Sequence, residues 1–180
     1  EVKMVETRRW LPCSYPWQLI DANDVLLNDL EEKIEGEVDE SSRIQGKVVI
    51  EKGAKVRENS VIKGPTIIKK GCEVGPNAHV RPKTVLEKNV KVGNSEIKNS
   101  VIREGSNLPH FNYIGDSYIG RDVNMGAGSK TANLLNDDRN VEMEIKGNIL
   151  ETDRKKLGAI IGSKANIGIN NSIKPGRKIG

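Results

Sequence analysis

From Ile44 onward the chain repeats itself every six residues. Ile44, Ile50, Val56, Ile62, Ile68, Val74, Val80, Leu86 and Val92 are all aliphatic and mostly β-branched. Two residues before each of the later eight stand Val48, Ala54, Ser60, Thr66, Cys72, Ala78, Thr84 and Val90, none of them large. A period of six fits neither the 3.6 of a helix nor the alternation of an ordinary strand. It is the period of a parallel β-helix, in which each hexapeptide is a short strand plus a turn and three of them close one triangular coil. The aliphatic residue points inward and the small residue fits beside it. Asn59, Asn77, Asn89 and Gly93 fall at turns, where a left-handed backbone is expected. A β-sandwich would show period two over longer strands. The fold expected is all-β, a parallel β-helix of hexapeptide repeats with a projecting insertion, preceded by one short helix. The period leaves the handedness open.

After Val92 the repeat loosens. Ile97 falls one residue early, Ile102 follows at five, Leu108 and Ile114 restore six, Ile119 comes at five, and Met125 and Thr131 return to six. Contractions in a strict solenoid are where a site is expected, because local rules give way at function. The period stops at Thr131 and resumes at Ile161, Ile167, Ile173 and Ile179, leaving an insertion over 133–158. Within it Val141, Met143 and Ile145 alternate with charged residues and Gly147-Asn148 follows, the pattern of a strand and turn that leave the solenoid. Arg154-Lys155-Lys156 closes it. This segment is too long and charged to pack inside a coil, so it is expected to reach a neighbouring subunit. The chain stops at Gly180 in mid-hexapeptide with no polar cap, which suggests more chain beyond.

Residues 1–33 read differently. They hold both tryptophans, Trp10 and Trp17. Leu19, Ile20, Asn23, Leu26, Leu27 and Leu30 recur at helical spacing, and Pro16 suits the first turn of such a helix. A single helix cannot bury its apolar stripe alone. It must pack on the solenoid, on another subunit or on a further domain.

Composition removes several classes of function. The net charge is +4, from 29 basic and 25 acidic residues spread along the chain, and aromatics are 3%. Nucleic-acid binding would need a concentrated basic stripe with stacking aromatics. Cys13 and Cys72 match no metal or redox spacing and read as free thiols of a reducing, cytoplasmic protein. No apolar run is long enough to span a membrane.

The chemistry-bearing residues gather in the irregular part. Arg81 follows the inward Val80 and Lys98 follows the inward Ile97, so Lys98 is expected one coil above Arg81, about 4.8 Å along the axis. Stacked like charges repel unless something neutralises them. A phosphate would do so through charge-assisted hydrogen bonds; the alternative is two cations turned outward. His110 stands in the stretch Leu108-Pro109-His110-Phe111-Asn112-Tyr113-Ile114-Gly115-Asp116. A loop histidine is either a surface residue or a proton acceptor near neutral pH. Pro109, Tyr113 and Asn124 favour the second reading, since Pro109 stiffens the approach and the other two can orient a substrate. His79 has no such neighbours and is read as exposed. A zinc site would need about three histidine ligands, and the chain has two, far apart in the repeat.

The stretch from His110 to Gly128, with Ser129-Lys130-Thr131-Ala132-Asn133 after it, resembles the acetyltransferase half of the bifunctional N-acetylglucosamine-1-phosphate uridylyltransferase/glucosamine-1-phosphate acetyltransferase family. It looks closest to the archaeal bifunctional sugar-1-phosphate nucleotidylyltransferases/acetyltransferases. The phrases His-x-x-Tyr-x-Gly-Asp and Asn-x-Gly-Ala-Gly carry the likeness, and it runs from the Pro16-Trp17 linker to Lys155-Lys156-Leu157-Gly158-Ala159-Ile160-Ile161-Gly162. The segment Tyr15–Asn23 resembles the one that closes the nucleotidyltransferase domain in such proteins. The resemblance implies two parts, a linker over 1–33 left from the junction to a missing nucleotidyltransferase domain and a left-handed β-helix acetyltransferase domain over 34–180. It implies a homotrimer with sites between subunits, acetyl-CoA as donor, glucosamine-1-phosphate as acceptor and no metal, within UDP-N-acetylglucosamine biosynthesis. By motif, His110 is the general base, and Arg81 and Lys98 hold the sugar phosphate. Tyr113, Asn124 and Lys156 contact the sugar. Ala127 offers its N–H to the thioester carbonyl, and Asn133 lies near the pantetheine arm. Leu134 and Ile169 depart from the bacterial pattern, which has Tyr and a coenzyme-contacting Ser there. The competing expectation is a trimerising or regulatory β-helix of a sugar-1-phosphate nucleotidylyltransferase, without acetyltransferase activity.

Overall fold

The computed structural model describes residues 11–180. Trp10 and the rest of the expected linker before residue 11 lie outside the described residues. The chain from 33 onward winds into a left-handed parallel β-helix. Three columns of short parallel strands form its faces. One contains Val48–Ile50, Thr66–Ile68, Thr84–Leu86, Val101–Ile102 and Tyr118–Ile119. The second begins with Glu37–Val38, Lys55–Val56 and Glu73–Val74, the third with Arg43–Gln45, Val61–Lys63 and His79–Val80. The strands Lys91–Lys98 and Asn107–Gly115 run continuously around the corner between the second and third faces and join them into one sheet.

The register explains the six-residue period. Val48 lies against Thr66 and Thr66 against Thr84, so each coil takes three hexapeptides. The expected inward residues are buried, from Ile50 through Val92, and Ile44 in the first coil is half-buried because fewer coils cover it. All eight small residues of the second series are buried as well. Bringing these aliphatic side chains out of water is the main favourable term for a fold with so few aromatics. Asn59, Asn77 and Asn89 hold the expected left-handed turns, with φ of 54°, 56° and 60°. Gly93 does not, because its glycine serves a different need. A Cβ there would stand 1.9 Å from the Pro109 carbonyl oxygen of the next coil.

The helix spans Gln18–Leu27, shorter than the apolar spacing suggests; Leu30 lies beyond it. Trp17 is its N-cap residue, so Pro16 precedes the helix instead of opening its first turn. Ile20, Asn23 and Leu27 are buried, while Leu26 is exposed. The Asn23 side chain donates to the Lys83 carbonyl at 3.0 Å and Lys83 pairs with Asp24 at 2.9 Å. The insertion folds as an antiparallel hairpin, Glu142–Ile145 with Asn148–Glu151, around Lys146-Gly147. Its apolar side packs on the chain's own helix: Val141, Met143 and Leu157 form a second core with Trp17 and Ile20. Arg154 at its end pairs with Asp21 of the helix. The insertion thus has a contact within its own chain, and Ile149 remains exposed on the outer side. The repeat then resumes, with Ile161 and Ile173 buried and Ile167 and Ile179 packed at its margin.

Candidate active site

The third face and its two edges carry most of the candidate residues. Val80 pairs with Ile97 and Ile97 with Ile114, and the Arg81 N–H donates to the Ile97 carbonyl at 2.8 Å. Lys98 therefore lies one coil above Arg81, as the spacing required. Each cation has a carboxylate partner that sequence reading missed. Arg81 Nη1 lies 2.9 Å from Glu96 Oε1, and Lys98 Nζ lies 3.2 Å from Asp116 Oδ2. The like charges are thus offset by carboxylates of this chain. Glu96 was within reach of arithmetic: it registers between His79 and Tyr113 down the middle of the face, one coil from each.

Asp116 is the centre of a small network. Its carboxylate is almost fully buried and accepts hydrogen bonds from Lys98, from Asn99 Nδ2 at 2.6 Å and from Asn133 Nδ2. Asn133 Nδ2 also approaches the Tyr113 hydroxyl, at 3.4 Å. Burial pushes the Tyr113 phenol up, and the charges of Asp116 and Glu96 add to this, so at neutral pH it keeps its proton and can donate. Both ends of the insertion are pinned here. Asn133 begins it, and the Gly158 N–H that closes it donates to the Asp116 carbonyl at 2.8 Å. Lys156 is exposed beside the same point, bridged to Leu134.

His110 lies across the third face from Arg81 and Lys98, at the corner shared with the second face. The coil below has Asn94-Ser95-Glu96 where this one has His110-Phe111-Asn112-Tyr113, and the register shifts accordingly. The coil below is the short one, where Ile97 falls a residue early; here the turn has its full length, with Phe111 in the left-handed place that Asn59 and Asn77 hold in earlier coils, at φ 51° and 66% exposed. His110 is exposed at this corner. Beside it is a cavity of about 360 Å³ lined by Gly75, Pro76, Gly93, Asn94 and Pro109 among others. Arg81 and Lys98 do not line that cavity.

The next coil stacks directly on His110. The Gly128 N–H donates to the His110 carbonyl at 2.9 Å, which sets Ala127 above His110 on the corner. The Asn170 N–H donates to the Ala127 carbonyl at 2.7 Å, which sets Ile169 above Ala127. Among the described residues the Ala127 N–H has no acceptor. Asn124 sits elsewhere. It registers with Asn107 and Asn166 in the second face, around the corner from Tyr113. One chain therefore gathers Arg81, Lys98, Tyr113 and Asn133 on one face, His110 and Ala127 at its edge, and Asn124 on the face beyond. His79 is half-buried, not exposed. Its pKa is lowered by burial, with Glu96 of the next coil opposing.

Among the described residues no helix is long and apolar enough to cross a membrane, and no cluster of His, Cys, Asp and Glu could hold a metal. The two free cysteines stand apart from His110. Cys13 is exposed before the helix, and Cys72 is buried, with its thiol pushed up to about 11, chiefly by burial.

The family model of the GMPPB C-terminal domain matches residues 44–149. A bifunctional sugar-1-phosphate nucleotidylyltransferase/acetyltransferase of Sulfurisphaera tokodaii is 44% identical over 99% of this chain and 45% of its own length. A bifunctional protein GlmU of Methanococcus maripaludis is 56% identical over 95% of this chain and 42% of its own, and that of Methanocaldococcus jannaschii is 46% identical over the same shares. The chain spans less than half the length of these relatives. Among solved structures, a mutant of perosamine N-acetyltransferase from Caulobacter crescentus, in complex with CoA and GDP-perosamine, covers 84% of this chain and 54% of its own at 15% identity and a TM-score of 0.47. That is a distant likeness of shape.

Proposed function

The chain belongs to the GMPPB C-terminal domain family, and from that premise we propose that it transfers the acetyl group of acetyl-CoA to the amine of glucosamine-1-phosphate. The bifunctional relatives, which match nearly its whole length, support this reading. In it, residues 1–33 link a nucleotidyltransferase domain to the β-helix of 34–180. The observation that carries the reading is the stacking of His110 and Ala127 on one corner. It places a proton acceptor one coil from an N–H that has no acceptor among the described residues.

The acceptor amine is an ammonium near neutrality and must lose a proton before it can attack. His110 takes that proton, a step worth about 10²–10⁴ in rate. The amine forms the new C–N bond at the thioester carbonyl, and the Ala127 N–H donates to the oxygen as it gains charge. The C–S bond then breaks, the coenzyme thiolate takes the proton held on His110, and the surplus proton on the new amide nitrogen passes to water. No nucleophile of the protein is required. Arg81 and Lys98 bind the sugar phosphate, exchanging part of their pairing with Glu96 and Asp116 for it. Tyr113 and Lys156 orient the sugar, with Asn133 beside the pantetheine arm. Asn124 lies on a different face from Tyr113, an arrangement in keeping with a site shared between chains. This supports a homotrimer, which light scattering of the intact protein tests; a stable monomer or dimer counts against it.

A second reading rests on a specific observation. Arg81 and Lys98 are each already paired, and neither lines the cavity beside His110. A β-helix that only assembles or regulates a nucleotidyltransferase would have no need for them to converge. Thiol release from acetyl-CoA, followed with and without glucosamine-1-phosphate, separates the two. Release that requires the sugar phosphate supports the transferase, and none at all leaves the assembly module.

A further inference from the structure

We propose that Asn112 is a positioning residue for this transfer, one that fixes the distance between His110 and the Ala127 N–H; the inference rests on the roles given to those two residues above. Asn112 stands two residues after His110 in the same turn, and its side chain points into the solenoid, 3% exposed. Its Nδ2 donates to the Gly126 carbonyl at 2.8 Å and to the Ser129 carbonyl at 3.4 Å. Those two carbonyls bound the turn that presents Ala127. The Gly128 N–H returns a bond to the His110 carbonyl at 2.9 Å. Two stacked turns, one carrying the base and the other the N–H, are thereby tied at three points.

The equivalent places in neighbouring coils argue that this is not ordinary solenoid packing. Ser95, Asn112, Ser129 and Asn171 precede residues that register with one another, so they occupy one column. Ser95 and Ser129 each grip the coil above through one carbonyl and one N–H: Ser95 Oγ donates to the Leu108 carbonyl at 3.1 Å and accepts from the Asn112 N–H at 3.0 Å, and Ser129 Oγ donates to the Gly168 carbonyl at 2.7 Å and accepts from the Asn171 N–H at 3.1 Å. Serine is thus sufficient to close a coil. Asparagine at 112 carries a cost that serine does not, since its Oδ1 is buried without a hydrogen-bond partner among the described residues. A buried unsatisfied oxygen in a native interior calls for a reason, and donation to both carbonyls that bound the Ala127 turn, where a serine reaches only one, supplies it. The other orientation of the amide would set Oδ1 against two carbonyl oxygens, so the donor assignment follows from the surroundings.

The test is Asn112→Ser in the full-length protein, made alone and together with His110→Ala, with steady-state kinetics and urea unfolding for each. The expected result is unfolding stability equal to or above wild type and a kcat lower by about 10²-fold, the scale of a 1 Å misplacement. KM for both substrates should stay within about twofold. In the His110→Ala background the same substitution should cost less than about threefold, because residues that act as a unit are not additive. A packing defect would instead cost as much in either background, and that additive result overturns the proposal, as does a wild-type kcat in Asn112→Ser. The underlying reading fails separately: wild-type kcat in His110→Ala alone removes the base and leaves Asn112 nothing to position.

Discussion

Gly93→Ala is a small change with a large expected effect. An ideal Cβ at Gly93 would meet the Pro109 oxygen at 1.9 Å and its carbonyl carbon at 2.8 Å, where ordinary contact begins near 3.4 Å. The obstacle is backbone, so it cannot turn aside like a side chain. Relief needs the coil carrying Pro109 to lift by about 1.5 Å, the shortfall of 1.9 Å from the 3.4 Å of ordinary contact. Overpacking of this kind costs about 1–3 kcal/mol. Pro109 leads directly into His110, so the lift is passed to the proposed base, and a misplacement beyond about 1 Å costs on the order of 10² in rate. Urea unfolding and steady-state kinetics on the variant read the two effects separately. Gly162→Ala is the control, since its Cβ would meet nothing closer than 3.2 Å and lies at another corner. Wild-type stability and kcat in Gly93→Ala would refute the reasoning, because the close approach would then not constrain the coil.

Ile97→Ala removes a fully buried side chain from the middle of the solenoid and should cost about 2–5 kcal/mol in urea unfolding. Cys72, with its thiol pushed up to about 11, should not react with a thiol reagent at pH 8 in the native protein, whereas the exposed Cys13 should; both should react in denaturant. His79 has a folded pKa lowered from its usual 6.5 by burial. The unfolded chain therefore binds the proton first, and the contribution of His79 to stability is present above 6.5 and is lost as pH falls through the lower folded value. His79→Gln should flatten the stability profile across that window, as read by urea midpoints at several pH values.

The solenoid was legible because a coil of fixed length converts position into place. Val80 and Ile97 stack by counting alone, and so Arg81 and Lys98 do too. Glu96 was equally countable but looked like one more surface carboxylate. What escaped was anything fixed by contact between distant parts of the chain. Gly93 has the composition of a turn glycine, yet Pro109 of the next coil explains it. The insertion was expected to leave the coil, but nothing near it in sequence shows that its apolar side meets Trp17 and Ile20, more than a hundred residues away. His79 looked exposed because nothing near it in sequence shows that Glu96 stacks beside it one coil on. Asp116 stood in the motif without a role, and its partners Lys98, Asn99 and Asn133 become visible only once three coils are stacked.

The proposed chemistry turns on His110 removing the proton from the acceptor amine. Its most direct measurement is kcat for glucosamine-1-phosphate-dependent thiol release by full-length His110→Ala against wild type, across pH. An exposed corner residue contributes little to the core, so the variant should fold as wild type and keep its KM for both substrates. Its kcat should fall by about 10²–10⁴ and recover in part as pH rises and the free amine forms unaided. A kcat near wild type at neutral pH would contradict the mechanism and put the assembly module ahead.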